Sequence, residues 1–266
     1  MAIKMEKRQY KLLTVVMVAL LLLAMPGIGR ELAGCVAGES LIFDSWQDVL
    51  EFFARHDLVS REGLVATDGG VDERPCVVID AGHGGADPGK VGQGEVLEKD
   101  INLQIARRLK LYLEANDVRV VMTRQEDVML ETGDGSSKKS QDMKARVNLI
   151  EENMPRVVVS VHQNSYPAES VHGAQVFFFT GSTEGSKLAD LIQNSMLTYV
   201  DPQNKRQIKG DNTYYLLKHI SVPTVIVECG FLSNPGEAKK LKDEEYQDRV
   251  AWAIHLGILQ YLSDSV

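Results

Sequence analysis

The chain has 266 residues, 44% of them hydrophobic and 25% charged, with a formal net charge of -8. That is the size and balance of one substantial globular domain with extensions. The acidic balance excludes a nucleic-acid binder and offers no long-range attraction to anionic polymers or lipid head groups, so recognition falls to local contacts.

Residues 1–30 differ from the rest. Lys4, Lys7, Arg8 and Lys11 precede an apolar run from Leu12 to Met25 that Pro26 and Gly27 close. Positive residues before a short apolar run read as a secretory signal peptide or a short membrane anchor. The run is shorter than the roughly 20 residues of a comfortable span. Leu32-Ala33-Gly34-Cys35 spells a lipobox, but Arg30 and Glu31 separate it from the apolar run, so it reads as coincidence. Either way the main domain is expected outside the cytoplasm.

Residues 31–75 read as a connector. Within it, Trp46, Val49, Leu50 and Phe53 line one side of a short amphipathic helix. The polar stretch Asp72-Glu73-Arg74-Pro75 marks the boundary, and residues 76–266 form the expected catalytic domain.

From Cys76 onward strand-like and helix-like segments alternate. Residues 76–80 read as a strand, 98–115 as a helix, 118–123 as a strand and 131–141 as a polar loop. A helix over 143–152 and strands over 157–161 and 173–179 follow. A helix over 187–199, a strand over 224–227 and a closing helix over 244–262 complete the pattern. This predicts an α/β fold: a three-layer sandwich whose mixed, largely parallel sheet carries helices on both faces. Cys76 and Cys229 read as buried thiols, with a bridge between them left open.

Three apolar runs end in residues suited to a metal. Val77-Val78-Ile79-Asp80 leads to His83 among Gly82, Gly84 and Gly85. Val157 to Val161 leads to His162, and Thr224 to Val227 leads to Glu228. Glu98 opens a helix between the first two. Each alone has a plain structural reading, as a loop histidine, a strand-end polar group or a first-turn helix acid. Together they are candidates for one site at the carboxyl edge of the sheet. A carboxylate at Glu228 is costly to bury without a partner.

The segments Val77-Val78-Ile79-Asp80-Ala81-Gly82-His83-Gly84-Gly85, Glu98-Lys99-Asp100, Ser160-Val161-His162-Gln163-Asn164-Ser165 and Val227-Glu228-Cys229-Gly230-Phe231-Leu232-Ser233-Asn234 resemble the zinc-dependent N-acetylmuramoyl-L-alanine amidases. The resemblance covers about Cys76 to Leu262. With Tyr214-Tyr215-Leu216-Leu217-Lys218-His219 before the last strand, it is most similar to the germination-specific, spore-cortex branch.

The resemblance implies a sheet of about six strands, Zn2+ held by His83, Glu98 and His162, and Glu228 as the catalytic residue. It implies hydrolysis of the amide between N-acetylmuramic acid and L-alanine in peptidoglycan. Two histidines and one glutamate leave a zinc position open, the catalytic pattern. Asn164, two residues past His162, is the substrate-binding candidate. Gln163 and Ser165 depart from the family pattern, which commonly has small apolar residues there. The gap between Glu98 and His162 carries no long extra helical pattern of the kind that occludes some relatives. Two rivals stay open: a zinc peptidase cutting within the stem peptide, and a non-catalytic zinc-bearing wall-binding module. The expected partners are peptidoglycan and, through the N-terminal segment, the membrane, with an activating protein left open. His172, His219, His56, His255, Arg146 and Asn148 read as structural or solvated groups, and Phe177-Phe178-Phe179 as a core strand.

Overall fold

The computed structural model describes residues 72–92, 94–130 and 138–264, which fall in one compact unit beginning at Asp72. The apolar run at 12–25, the Leu32–Cys35 motif, His56 and the amphipathic segment at 45–53 lie outside the described residues. Among the described residues no helix is long and apolar enough to cross a membrane.

In chain order the elements are β1 (Cys76–Ala81), α1 (Glu98–Glu114), β2 (Arg119–Met122), α2 (Lys138–Asn153), β3 (Val157–Asn164), β4 (Gln175–Phe179), α3 (Thr183–Tyr199), β5 (Lys209–Asp211), α4 (Tyr215–His219), β6 (Thr224–Phe231), α5 (Pro235–Leu241) and α6 (Glu244–Ser263). The six strands form one sheet in the order β2-β1-β3-β6-β4-β5. All neighbours pair in parallel except β4 and β6, which run antiparallel. This is the mixed, largely parallel α/β sheet expected.

Side chains alternate across each strand, so one strand feeds two layers. Val77, Ile79, Val157, Val159, Val225 and Val227 face a large core closed by α1, α3, α5 and α6. Val78 and Val158 face the opposite layer, where Val147 and Ile150 of α2 and Leu216 of α4 cover them. Phe177 and Ile226 join Leu217 in a small cluster on this second face. Among the described residues a five-residue helix, α4, covers that end of the sheet, and the carboxyl ends of β3 and β6 emerge beside it.

Several boundaries differ from the sequence reading, chiefly those of β3, β6, α2 and α3, and two short elements were not foreseen. β3 continues through His162 to Asn164, and β6 through Glu228 to Phe231, so the site residues lie inside paired strands and not just beyond them. Their ladder persists because His162 pairs with Glu228, a bulge follows, and Asn164 then pairs with Phe231. α2 begins at Lys138, within the segment read as loop; Lys138, Lys139 and Ser140 are exposed and give no apolar period. α5 and β5 carried no strong pattern, although Asn234 caps the first turn by accepting from the Glu237 N–H, Pro235 opens it, and Glu237 supplies a first-turn acid. Cys76 and Cys229 are both buried and free. Phe177 is core, but Phe179 at the strand end is exposed.

Candidate metal centre

His83 lies two residues beyond β1, in a loop whose backbone is held from below. Arg124 donates from Nε to the Ala81 carbonyl (2.9 Å) and from Nη2 to the Gly82 carbonyl (3.0 Å). Arg146 donates from Nη2 to the carbonyl of His83 itself (2.7 Å). These contacts stabilise His83 at φ 61°, a left-handed conformation uncommon for a residue with a side chain. Arg146 is 1% exposed and ion-paired to Asp80 (2.6 Å) and Asp142 (2.7 Å), which corrects its reading as a solvated residue. It turns inward because β1 carries Asp80 next to its end, a buried carboxylate that also accepts from Thr123 and Ser160. Asn148 on the same helix is exposed, as read.

Glu98 is the first residue of α1, and the loop before it supplies carbonyls to the helix's free N–H groups: Lys90 O to Glu98 N (2.9 Å) and Pro88 O to Lys99 N (3.2 Å). Its carboxylate is buried. Oε2 accepts from the Lys90 N–H at 2.7 Å and lies 3.2 Å from His83 Nε2. Oε1 accepts from the Gln163 N–H at 3.0 Å and lies 2.9 Å from His162 Nδ1. Burial alone would raise the pKa of Glu98; hydrogen bonds from His162 and His83 outweigh it and hold the carboxyl far below the ordinary range. Burial would likewise lower His162, but its bond to Glu98 prevails and the shift is upward.

The two imidazoles meet edge to face with centroids 4.9 Å apart, and ligand atoms of His83, Glu98 and His162 all lie within 4.8 Å of one another. Tetrahedral bonds of about 2.0–2.1 Å place neighbouring ligand atoms about 3.3 Å apart. Each imidazole meets a separate oxygen of Glu98, at 3.2 and 2.9 Å, close to that spacing, and the donor set suits one small ion. Asp87 adds the outer support such sites use: its Oδ2 is 2.9 Å from His83 Nδ1, which turns Nε2 toward Glu98. Two glycines make the room. A Cβ on Gly82 would lie 2.2 Å from His162 Nε2, and one on Gly89, at φ +66°, would lie 2.6 Å from Glu98 Oε2.

Glu228 is the direct sheet partner of His162, so both side chains share the lightly covered face. It is 5% exposed. Its Oε1 accepts from the Tyr214 hydroxyl at 3.1 Å, while Oε2 is buried with no hydrogen-bond partner. Burial raises its pKa, and repulsion from Glu98 adds to this against the opposing charge of His162. A carboxylate with one oxygen fastened and one unclaimed beside the His–Glu–His corner is equipped to take a proton and give it back.

The structure thus brings His83, Glu98, His162 and Glu228 together. Asn164 is on the same sheet edge, partly exposed, with Oδ1 accepting from the Ser165 N–H (2.7 Å). Gln163 points away: its amide donates to Asn102 Oδ1 (3.1 Å), and Asn102 donates to the Gly82 carbonyl (3.1 Å). That departure from the family pattern therefore braces the site from behind. His172 and His219 are exposed and distant in role, while His255 is buried with Asn116 at 3.1 Å. Sequence reasoning missed Asp87 and Tyr214. The spacing of Asp87 four residues past His83 was a usable signal; Tyr214, at the cap of a short helix, had none.

The sequence profile described as N-acetylmuramoyl-L-alanine amidase, Amidase_3, matches residues 77–260. The chain belongs to that family. Membership makes it an amide-bond hydrolase, and the four residues above fall within the matched span. The chain is 37% identical over 191 residues to the germination-specific N-acetylmuramoyl-L-alanine amidase of Bacillus subtilis, covering 71% of this chain and 80% of the relative. It is similar in structure to the CwlD amidase of Clostridioides difficile, solved in complex with the GerS lipoprotein. There the TM-score is 0.70 at 37% identity, over 72% of this chain and all of that one. An N-acetylmuramoyl-L-alanine amidase from Clostridium difficile 630 follows at TM-score 0.65 and 32% identity, covering 73% and 99%. The six-stranded mixed sheet agrees with these neighbours.

Proposed function

We propose that this amidase is zinc-dependent and cleaves the bond between N-acetylmuramic acid and L-alanine in the peptidoglycan of the spore cortex. The observation that carries the reading is the pairing of His162 with Glu228, which puts a buried carboxylate oxygen without a partner beside a His–Glu–His corner. In this reading His83, Glu98 and His162 hold the ion. Bound there, zinc supplies Lewis acidity toward water and the scissile carbonyl. Glu228 takes the proton of the attacking water on Oε2 and delivers it to the departing amine of L-alanine. Tyr214 fixes the other oxygen so that the carboxylate stays aimed. Asn164, at the open edge, receives substrate. The germination-specific role of the Bacillus relative supports the cortex as target.

The same proposal places the enzyme outside the cytoplasm. Residues 1–30 act as signal or anchor, 31–75 as connector and 76–266 as the catalytic domain. The lipoprotein complex of the Clostridioides relative supports an activating protein partner.

The test is metal analysis of the purified chain with digestion of cortex peptidoglycan and identification of the new termini. One zinc per chain and a freed L-alanine amine are expected. Termini within the stem peptide would replace this reading with the peptidase, and zinc without cleavage would replace it with a binding module. Glu228→Gln should keep zinc and lose about 10²–10⁴-fold in kcat; full activity would remove Glu228 from the mechanism.

A further inference from the structure

We propose that Arg206 is a receptor for a stem-peptide carboxylate, held one strand away from Glu228; the inference rests on the amidase reading above. β4 runs antiparallel to β6 with Gln175 opposite Glu228, so these two side chains rise from the same face as His162. Arg206 is clamped onto that row. Its Nη1 donates to Gln175 Oε1 at 3.1 Å and its Nε to the His172 carbonyl at 2.7 Å. The guanidinium lies 4.6 Å from the ring centroid of Phe231, the sheet partner of Asn164. Of the supports of Arg206, Gln175 is the sheet partner of Glu228, and Phe231 lies three residues farther along β6.

The backbone beneath is fixed as well. Asn204 accepts from the Arg206 N–H at 3.0 Å and donates to the Ala174 carbonyl at 2.7 Å. An arginine already ordered this way forfeits little side-chain entropy when it binds a ligand. Its hydrogen-bond acceptors are a carbonyl and an amide oxygen, both neutral, and Nη2 has no partner among the described residues. A half-exposed guanidinium on an aromatic face, with a free donor edge and no anion of its own, is built to take a carboxylate.

The reach selects which carboxylate. Adjacent strands are about 4.8 Å apart, so the backbone of Gln175 stands about 5 Å from that of Glu228, and the guanidinium sits beyond the end of the Gln175 side chain. A stem peptide advances at most about 3.3–3.6 Å per residue, so a carboxylate on the residue after L-alanine lies about 7 Å from the scissile amide. Arg206 is assigned to this nearest carboxylate, and one farther along the stem serves as the control.

The full-length chain is assayed on muramoyl peptides in three forms: unmodified, amidated at the carboxylate nearest L-alanine, and amidated farther along. The near amide should lower kcat/KM about 10-fold to 100-fold through KM, the range for a hydrogen bond to a charged group, and the far amide should not. Arg206→Gln should reproduce the loss on the unmodified peptide and add nothing on the near amide; Arg206→Lys should restore part of it. Calorimetry of the free stem peptide, which needs no turnover, should show the same change in Kd. Equal cleavage of all three peptides by the wild type, a loss that follows the far amide, or an Arg206→Gln loss equal on both substrates would overturn the assignment. Absence of muramoyl-L-alanine cleavage by the wild type would instead overturn the amidase reading beneath it.

Discussion

The two faces of this sheet are built from the same strands and are not built alike. On the face covered by α1, α3, α5 and α6, alternate strand residues are aliphatic and fully enclosed. On the other, the positions next to them read Asp80, Ser160, His162, Glu228 and Gln175, with Arg146 and Tyr214 reaching in from the chain above. The first face holds the sheet together by burial, which is non-directional and tolerant of shape. The second, beside apolar clusters of its own around Val78, Val158, Phe177 and Ile226, adds hydrogen bonds and ion pairs, each of which fixes a position, and these continue into the candidate metal corner. Asp80 anchors Arg146, Arg146 grips the backbone of His83, and His83 meets Glu98. Stability and site geometry are thus separated by strand alternation.

A paired substitution tests that separation. Arg146→Met strands Asp80 and Asp142 in a buried place and should cost about 3–5 kcal/mol of stability. It should also weaken metal binding about 10–100-fold, since the loop of His83 loses its tether. Leu109→Ala, in the core of the opposite face, should cost a similar or smaller about 2–5 kcal/mol with metal affinity unchanged. Denaturant unfolding and metal titration of both variants read the two quantities. Equal losses of metal affinity would break the distinction between the faces.

Acid sharpens it further. Burial would raise the pKa of Asp80, but the charge of Arg146, with help from His162 and Ser160, holds it at about 2 against an ordinary 3.8. A carboxyl depressed in the folded state adds stability above its unfolded pKa and loses it as pH falls through the folded value. The stability advantage of wild type over Asp80→Asn should therefore shrink by about 2 kcal/mol between pH 4 and pH 2. A constant gap across that window would mean that Asp80 contributes by shape and not by charge.

The apolar face was the legible one. Valine runs and helical stripes gave α1, β1, β3, α3, β6 and α6, because repeated burial writes a period into the sequence. The grouping of the four candidate residues was also legible, since His83 and Glu228 sit in segments where a buried polar group needs a reason. What supports them was not. Arg146 has the spacing of an ordinary surface residue on a polar helix, and nothing local says that Asp80 waits opposite it, 66 positions away. Tyr214 meets Glu228 only because β4 pairs beside β6 and the chain entering α4 crosses their face, with the Tyr214 ring on Phe177. Contacts set by topology leave no local pattern, so polar networks were the part missed.

The smallest effect is expected at Tyr214, and it is the one that separates orientation from mere packing. Tyr214 is half-buried with its ring on Phe177, and burial followed by the charge of Glu228 pushes its phenol pKa up, so its proton stays in the bond to Oε1. Tyr214→Phe keeps the ring and removes that proton. Because the hydroxyl favours the ionised carboxylate, its loss should raise the pKa of Glu228 and move the acid limb of the kcat/KM profile upward by about one pH unit. Turnover should fall about tenfold with KM unchanged, since no substrate contact is removed. A lower kcat with the acid limb unmoved would show that the hydroxyl does not govern Glu228, and that the polar face aims its carboxylate by packing alone.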